Sequence, residues 1–576
     1  MSRLTQQSQQ RLGKFEVDIQ WDVKVPMRDG TQLSGLLYLP DPLETPRPAI
    51  HQLTPYVAQT YHEVGVYFAS NGYPYLVVDI RGRGNSPGEF YPNETEAEDG
   101  FDIIEWLARQ SFCNGQVTAT GGSYSGMTQW LAAREMPEHL STIIPVSSPF
   151  RGVDTPVRNN LYANYSMQWL TLTAGITSQD QIFWGQKPLW GSRFRRWHES
   201  GRPFRELDSF LGMPSKSFQT WVAHPTRDDY WDRFSPSPEQ YAAIDMPILT
   251  ITGHYDVNQP GALEHYKRHN RYAPDDATAK HYLIIGPWNH QGTREPVTEF
   301  SGLTVGDASL LDIRQLHLDW YDWTLSDGPR PDFLRDRVAY YVMAADHWRY
   351  APTLEAVTDH SEPLFLSADR NPTDVFRAGR LSGSPTDSEP FTFEHDPRDI
   401  ATAVVEEHVD PSNVTDQRML FAKSGKLLVF HTEPFTEPRE VTGFFRADLW
   451  ISIDQPDCDF RVSVHEIGLD GSSVQLSYDT IRARYRESDK EESLVSTTEP
   501  LHYGFDRFPF VSREISVGSR LRFVIEPIHS IYFQRNMNAG GVVSDESIED
   551  ARTVQVAVFA DSSRPSAIHV PYGRPS

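Results

Sequence analysis

Apolar and polar positions change their spacing twice along this chain, which divides it into regions of different predicted structure. Residues 15–39 alternate around a turn at 28–30, as expected for two antiparallel strands. Short, fully apolar runs then alternate with helical patterns such as 102–108 and 127–135. The apolar runs lie at 49–53, 75–79, 117–120, 142–146, 248–251 and 281–285. Buried parallel strands have this composition, so the alternation predicts an α/β sheet.

The connection between the fourth and fifth apolar runs, about a hundred residues, is far longer than a loop. We therefore expect an inserted helical cap over residues 151–240. It holds six of the fourteen tryptophans: Trp169, Trp184, Trp190, Trp197, Trp221 and Trp231. Most of these rings are expected to form the core of the cap, while Trp169 is a candidate substrate contact. A cap at the carboxyl ends of the strands would cover the site as a lid.

A helical pattern over 308–325 ends at the Gly/Pro-rich break 328–331, and alternating strands dominate the chain from 338 onwards. About eight such strands are predicted, at 338–343, 363–367, 426–431, 441–453, 459–467, 473–485, 520–525 and 554–559. They predict a β-sandwich, most simply a jelly roll. The expected domains are an α/β core over 1–150 and 241–330, the cap over 151–240, and the β-sandwich over 331–576.

Residues 120–126 read Thr-Gly-Gly-Ser-Tyr-Ser-Gly, between a β-branched run and an apolar helical pattern. A nucleophile elbow has this form, and the residues two before and two after its nucleophile must be small. Ser123 meets this condition with Gly121 and Ser125, whereas Ser125 is followed two residues later by the bulky Met127. The motif is loose, because Ser125 stands where the strict pattern has Gly. Ser123 is the candidate nucleophile.

A serine nucleophile requires an imidazole that takes its proton and a carboxylate that orients the imidazole. In α/β-hydrolases the chain order is Ser, Asp, His, and each residue follows a strand of the sheet. Asp256 and His290 each lie five residues beyond a predicted strand and complete this order. His254 would break the order and is interpreted as structural, and His281, at the start of a strand, is expected to be packed or solvated.

The oxyanion of the tetrahedral intermediate requires hydrogen-bond donors. The backbone N–H of Tyr124, directly after the nucleophile, is expected to be one. The second should come from the loop 54–56, through either a backbone N–H or the phenol of Tyr56.

These motifs resemble those of the cocaine esterase and X-Pro dipeptidyl-peptidase (CocE/NonD) family, which also contains α-amino acid ester hydrolases and cephalosporin acylases. The elbow 121–126, the Pro-Tyr pair at 55–56, the loop 79–84, and the acid and base segments 255–256 and 286–290 carry the resemblance, together with 533–536 and 459–460. It implies an α/β-hydrolase core with an inserted helical cap and a C-terminal β jelly roll. It also implies that Tyr56 is the oxyanion phenol and that Arg81 and Arg83 are structural.

Composition narrows the range of partners. A net charge of −25 and a pI near 5.2 disfavour nucleic acid and anionic membranes. The polar segment 1–14 is not typical of a signal peptide, and no later stretch has the length of a membrane span, so we expect a cytoplasmic protein. Cys113 and Cys458 are expected to be reduced structural thiols, and no cofactor or metal is expected. A homo-oligomer is compatible with the sequence.

Three functions remain open from the sequence. The first is hydrolysis of an ester or amide with a small to medium acyl group, through a Ser-Asp-His triad. The second is an aminopeptidase or α-amino acid ester hydrolase that requires a free substrate amine, which carboxylates would hold. The third is an inert hydrolase scaffold whose jelly roll binds carbohydrate.

Overall fold

The computed structural model describes residues 13–184 and 186–574, so most of the polar segment 1–14 lies outside the described residues. Ten strands form one mixed sheet. In chain order they are Glu16–Pro26, Gln32–Asp41, Arg47–Thr54, Tyr75–Asp79, Cys113–Gly122, Leu140–Val146, Ile248–Tyr255, His281–Asn289, Val338–Val342 and His347–Ala351. Across the sheet the order is first, second, fourth, third, and then fifth to tenth. All six apolar runs are strands of this sheet, as the sequence predicted.

The pairing pattern of this sheet matches the prediction of an α/β core. The first two strands form the expected antiparallel hairpin, and the turn residue Gly30 has a φ of 87°. The third to ninth strands of the chain pair with one another in parallel. Parallel strands buried on both faces read as continuous apolar runs, which explains why the core strands were recognisable.

Helices cover both faces of this sheet. They are His62–Ser70, Glu96–Ala108, Tyr124–Arg134, Gln259–Tyr272, Asp275–Thr278 and Ile313–Leu325, with 3-10 turns at Ala58–Tyr61 and Asp307–Ser309. The helices 96–108 and 124–134 pack against one face through side chains such as Ile103 and Trp130. The helices 62–70 and 313–325 pack against the opposite face through side chains such as Phe68 and Trp320. The helix that starts at Tyr124 thus packs opposite the helices 62–70 and 313–325.

The insertion between the sixth and seventh strands is mainly helical. Its helices are Tyr165–Leu172, Asp180–Phe183, Lys187–Ser200, Leu207–Phe210, Lys216–Val222, Asp229–Asp232 and Pro238–Ala243, with a 3-10 turn at Phe204–Glu206 and a short hairpin of Val157–Arg158 and Leu161–Tyr162. Four tryptophans, Trp190, Trp197, Trp221 and Trp231, form its buried core together with phenylalanines. Trp184 is half exposed and Trp169 is partly buried.

The rest of the chain is rich in strands. They are Thr358–Ser367, Gly379–Ser382, Phe391–His395, Leu428–His431, Arg439–Gly443, Arg446–Ile453, Asp459–Ile467, Ser473–Arg482, Leu501–Phe505, Val511–Ile515, Arg520–Pro527, Val554–Phe559 and Ala567–Gly573. The other elements are the small strand pair Glu299–Phe300 and Leu303–Thr304, the helices Ala403–Glu406 and Arg418–Ala422, and 3-10 turns at Glu355–Val357, Ala483–Tyr485 and Ile548–Asp550. One large apolar core, which includes Phe460 and Phe523, lies between these strands.

The strand at 338–343 was assigned to the C-terminal domain from the sequence, and this assignment is wrong. Val338–Val342 extends the first sheet, where Leu283 pairs in parallel with Val338. All five of its residues are buried, and it pairs with the eighth and the tenth strand, so it is an interior strand next to the edge of this sheet. The expected boundary at 330/331 stays a prediction, and the first sheet continues beyond it.

The C-terminal domain packs against the loop that carries Asp256. The N–H of Ser512 donates to His254 Nε2 at 3.0 Å, and the side chain of Gln259 forms two hydrogen bonds with the backbone of Phe510. His254 therefore joins the two domains, in agreement with its structural interpretation. Arg482 and Asp459 form a buried ion pair within the C-terminal domain, at 2.8 Å.

Both cysteines are buried and free, as the sequence predicted. Across the ranges that the structure describes, no helix combines the length and the apolar character needed to cross a membrane.

Candidate active site

Ser123 lies at the sharp turn between the strand Cys113–Gly122 and the helix Tyr124–Arg134. Its φ of 61° and ψ of −125° fall outside the usual regions for a residue with a side chain. Gly121 precedes it with a φ of 129°, and a Cβ there would lie 2.6 Å from the Cβ of Ser125. The Ser123 N–H donates to the carbonyl of Val146 at 2.9 Å, and its hydroxyl does not cap the helix. This geometry is that of a nucleophile elbow.

Asp256 and His290 form a hydrogen-bonded pair. His290 Nδ1 lies 2.7 Å from Asp256 Oδ1. The carboxylate also accepts hydrogen bonds from the Thr252 hydroxyl at 2.8 Å and from the Asn258 N–H at 3.0 Å. Its side chain is fully buried, whereas that of His290 is 21% exposed. The carboxylate thus holds Nδ1 as the donor and leaves Nε2 available to accept a proton.

The pKa of Asp256 is lowered from its ordinary value. Burial alone would raise this pKa, but the charge of His290 and the hydrogen bonds to the carboxylate outweigh it. Asp256 is consequently ionised at neutral pH and can stabilise a protonated imidazole.

The register of the parallel strands brings the three candidate residues to one edge of the sheet. Gly122 pairs with Val146, which in turn pairs with Ile251. Gly253 pairs with Gly286. Since Ser123, Asp256 and His290 each follow one of these strands, they lie at the carboxyl ends where open α/β sheets place their sites.

Tyr56, Tyr124 and Trp169 form an aromatic cluster next to the elbow. The Trp169 indole N–H donates to the Tyr56 hydroxyl at 3.2 Å. The Trp169 ring stacks on the Tyr124 ring, with centroids 5.5 Å apart and an angle of 13°. Phe90 contacts both of these rings edge to face. A residue of the cap thereby touches both predicted oxyanion residues.

The Tyr124 side chain is buried behind the elbow. Its hydroxyl bonds to the Glu96 carboxyl group and accepts the N–H of Asn93 at 2.8 Å. Burial raises the pKa of Glu96. The Tyr124 N–H begins the helix, where no intrahelical acceptor exists, so it can donate to an oxyanion.

The arginines of the loop 79–84 form structural contacts, in line with what the resemblance implied. Arg81 pairs with Asp99 and Asp29, both at 2.6 Å. Arg83 is buried and donates to the carbonyl of Pro55 at 2.6 Å and to that of Thr173 at 3.1 Å. Arg83 therefore links the loop that carries Tyr56 to the cap.

A cavity of about 610 Å³ lies beside the elbow. Its lining includes Gly122, Tyr61 and Asn289, which neighbour the candidate catalytic residues in sequence or space. Arg294 also lines it and donates to the His290 carbonyl at 3.0 Å. A Cβ on Gly122 would lie 2.7 Å from the Arg294 side chain, which explains the glycine before the nucleophile. Arg294 was not predicted as a site residue from the sequence, where its one signal is its position four residues after His290.

Two family models match this chain. The X-Pro dipeptidyl-peptidase (S15 family) model matches residues 29–292, and the X-Pro dipeptidyl-peptidase C-terminal non-catalytic domain model matches residues 334–544. Cocaine esterase from a Rhodococcus species is 25% identical over 582 residues, which cover 96% of this chain and 98% of that protein. The two models together match most of the chain, which therefore belongs to the X-Pro dipeptidyl-peptidase (S15) family of serine hydrolases. Membership in a serine hydrolase family supports an enzyme and argues against an inert scaffold.

Solved structures share the whole fold of this serine hydrolase. An aminopeptidase from a marine sediment Thaumarchaeota archaeon superimposes with a TM-score of 0.81 at 22% identity, over 98% of this chain and 97% of that one. An α-amino acid ester hydrolase gives 0.80 at 21% identity, over 97% of both chains. A CocE/NonD family hydrolase from Staphylococcus aureus gives 0.69 at 17% identity, over 97% and 94%. The predicted fold, an α/β-hydrolase core with a cap and a C-terminal β domain, is confirmed.

Proposed function

We propose that this enzyme hydrolyses an ester or amide through an acyl-enzyme on Ser123, with His290 as the general base and Asp256 as its partner. The observation that carries the proposal is the hydrogen bond of 2.7 Å between His290 Nδ1 and the buried Asp256 carboxylate. The strained turn at Ser123 supports it, because elbows of this geometry expose a nucleophilic hydroxyl.

In the acylation step, His290 Nε2 takes the proton of the Ser123 hydroxyl as its oxygen attacks the substrate carbonyl carbon. The oxyanion that forms is held by the Tyr56 hydroxyl and the Tyr124 N–H. The intermediate collapses when the C–O or C–N bond breaks and Nε2 returns the proton to the leaving group. A water molecule then repeats the sequence on the acyl-enzyme and releases the acid and Ser123.

The substrate is proposed to have a small to medium acyl or leaving group. A cavity of about 610 Å³ is within the size range of small-molecule sites. Its lining combines apolar side chains, among them Phe68 and Val146, with charged ones, among them Arg294. The sequence-based expectation that Trp169 contacts substrate stays a prediction, and Trp169 does not belong to the lining of this cavity.

A second candidate function is hydrolysis that requires a free amine on the substrate. Two carboxylates, Glu63 and Glu299, line the cavity, and neither forms an ion pair with another described residue. A third, Glu295, is bound to Arg314 at 3.1 Å. Unpaired carboxylates would favour a substrate ammonium group.

The decisive experiment measures kcat and KM of wild type, Ser123→Ala and Ser125→Ala on matched aryl ester and anilide substrates. Each substrate is made with a free and with an acetylated α-amine. Loss of the nucleophile should lower kcat by roughly a millionfold, whereas the buried Ser125 is a control in the same elbow. Retained turnover in Ser123→Ala would reject the proposal, and turnover of only the free amines would select the second candidate.

A further inference from the structure

The indole of Trp169 is oriented by its hydrogen bond to Tyr56. An indole N–H can only donate, so at the distance of 3.2 Å the Tyr56 oxygen must be the acceptor. A phenol has one proton, and the bond from Trp169 leaves that proton free for another acceptor. The Tyr56 hydroxyl is thus prepared to donate to a third group.

The two residues are held at a fixed separation by Arg83. Its Nε donates to the carbonyl of Pro55, which directly precedes Tyr56, at 2.6 Å. Its Nη1 donates at 3.1 Å to the carbonyl of Thr173, the residue directly after the helix Tyr165–Leu172 that carries Trp169. Arg83 is only 1% exposed. The carbonyls at a helix end favour a cation, so this buried guanidinium fastens the cap helix to the Tyr56 loop.

We propose that Trp169 is a positioning residue for the oxyanion hole, which acts through Tyr56. This inference rests on the proposed role of Tyr56 as an oxyanion donor. When Tyr56 donates to the developing oxyanion, its oxygen gains negative charge, and the hydrogen bond from the Trp169 N–H becomes stronger. An interaction that strengthens in the transition state raises kcat and leaves KM nearly unchanged.

This role differs from the substrate contact that the sequence suggested for Trp169. One face of its ring is covered by Tyr124, and Phe90 packs edge to face on it, with the ring centroids 6.2 Å apart. Its polar edge is used by Tyr56. If Trp169 contacted the substrate directly, its replacement would instead remove binding energy and raise KM.

The test is a double-mutant cycle on a fast ester substrate with Trp169→Phe, Tyr56→Phe and the double variant. Trp169→Phe keeps an aromatic ring for Tyr124 but removes the N–H, and kcat should fall about fivefold with KM within twofold. Tyr56→Phe should lower kcat by about a hundredfold. The double variant should be no slower than Tyr56→Phe alone, since Trp169 acts only through that hydroxyl.

Trp190→Phe is the matched control. Trp190 belongs to the same cap, and its indole N–H donates to the carbonyl of Ile182 at 3.2 Å, the same length as the Trp169 bond. The Trp190→Phe variant should leave kcat and KM unchanged. If Trp169→Phe does not fold, as judged by its urea transition, benzothienylalanine at position 169 replaces the N–H by sulfur in a ring of nearly the same shape.

The outcomes separate the inference from the proposed function. A raised KM in Trp169→Phe, an additive double variant or an unchanged kcat would overturn the positioning role, while a slow Tyr56→Phe would leave the oxyanion assignment intact. A normal Tyr56→Phe would overturn both the oxyanion assignment and the inference. The activity of Ser123→Ala tests the nucleophile separately from both.

Discussion

Replacement of Asp256 by Asn tests whether the carboxylate charge drives the proton transfer at His290. The amide is nearly the same size, and its oxygen can still accept the N–H of Asn258, so the loop should keep its shape. The substitution removes the negative charge beside the imidazole. In wild type, Asp256 Oδ1 lies 2.7 Å from His290 Nδ1.

The magnitude follows from the separation and burial of the pair. Two unit charges about 3.5 Å apart attract by about 4–5 kcal/mol at an effective dielectric constant of about 20. The full burial of Asp256 and the 21% exposure of His290 make this dielectric value appropriate. Because about 1.4 kcal/mol corresponds to a tenfold change in rate, kcat should fall by roughly 10³–10⁴.

The assay is steady-state hydrolysis of an activated aryl ester, together with urea unfolding of each variant. Thr252→Val is the graded control, since it removes one hydrogen bond at 2.8 Å to the carboxylate and leaves the charge in place. It should lower kcat by only about tenfold. A kcat of Asp256→Asn within tenfold of wild type, in a protein of normal stability, would show that the Asp256 charge does not drive the proton transfer.

Three further variants test other contacts. Gly122→Ala should lower kcat about tenfold with an unchanged urea midpoint, because the methyl group displaces the flexible end of Arg294; full activity would contradict this. Arg482→Met should lower the free energy of unfolding by about 3–5 kcal/mol, since the buried Asp459 would lose its cationic partner and keep only the hydrogen bond from Asn536; a loss below about 1 kcal/mol would contradict it. Burial, with a smaller effect of Arg513, lowers the pKa of His254 to about 3, against about 6.5 in an unfolded chain. As the pH falls from 6 to 4, wild type should therefore lose about 1.4 kcal/mol per pH unit relative to His254→Gln, and equal slopes would argue against a neutral His254.

The parts of the site that follow local rules were predictable from the sequence. A nucleophile elbow needs small residues at fixed offsets, and Gly121 supplies a φ of 129° that a side chain would rarely adopt. Asp256 and His290 were found because each follows a strand in a known chain order. Their mutual hydrogen bond depends only on the register of two adjacent parallel strands.

The contacts of Trp169 and Arg83 could not be predicted in this way. The hydrogen bond from Trp169 to Tyr56 joins residues 113 positions apart, and Arg83 reaches Thr173 across 90 positions. No local periodicity encodes such contacts, since they depend on how the cap packs on the core.

The strand Val338–Val342 was misassigned although its sequence carried a usable signal. It is a continuous apolar run, as in a central parallel strand, and does not alternate as the later strands do. Several C-terminal strands, among them Gly379–Ser382 and Leu501–Phe505, were missed because short strands give few residues in which alternation can be recognised.

Active-site labelling with a fluorophosphonate, followed by peptide mapping, shows which serine is the nucleophile and whether His290 activates it. The reagent reacts only with a serine whose proton can be removed by a neighbouring base. The proposed triad predicts a stoichiometric adduct on Ser123 in wild type, and loss of that adduct in a folded His290→Ala variant. An adduct on Ser125, labelling that persists in His290→Ala, or no adduct in the folded wild type would contradict the proposed catalytic triad.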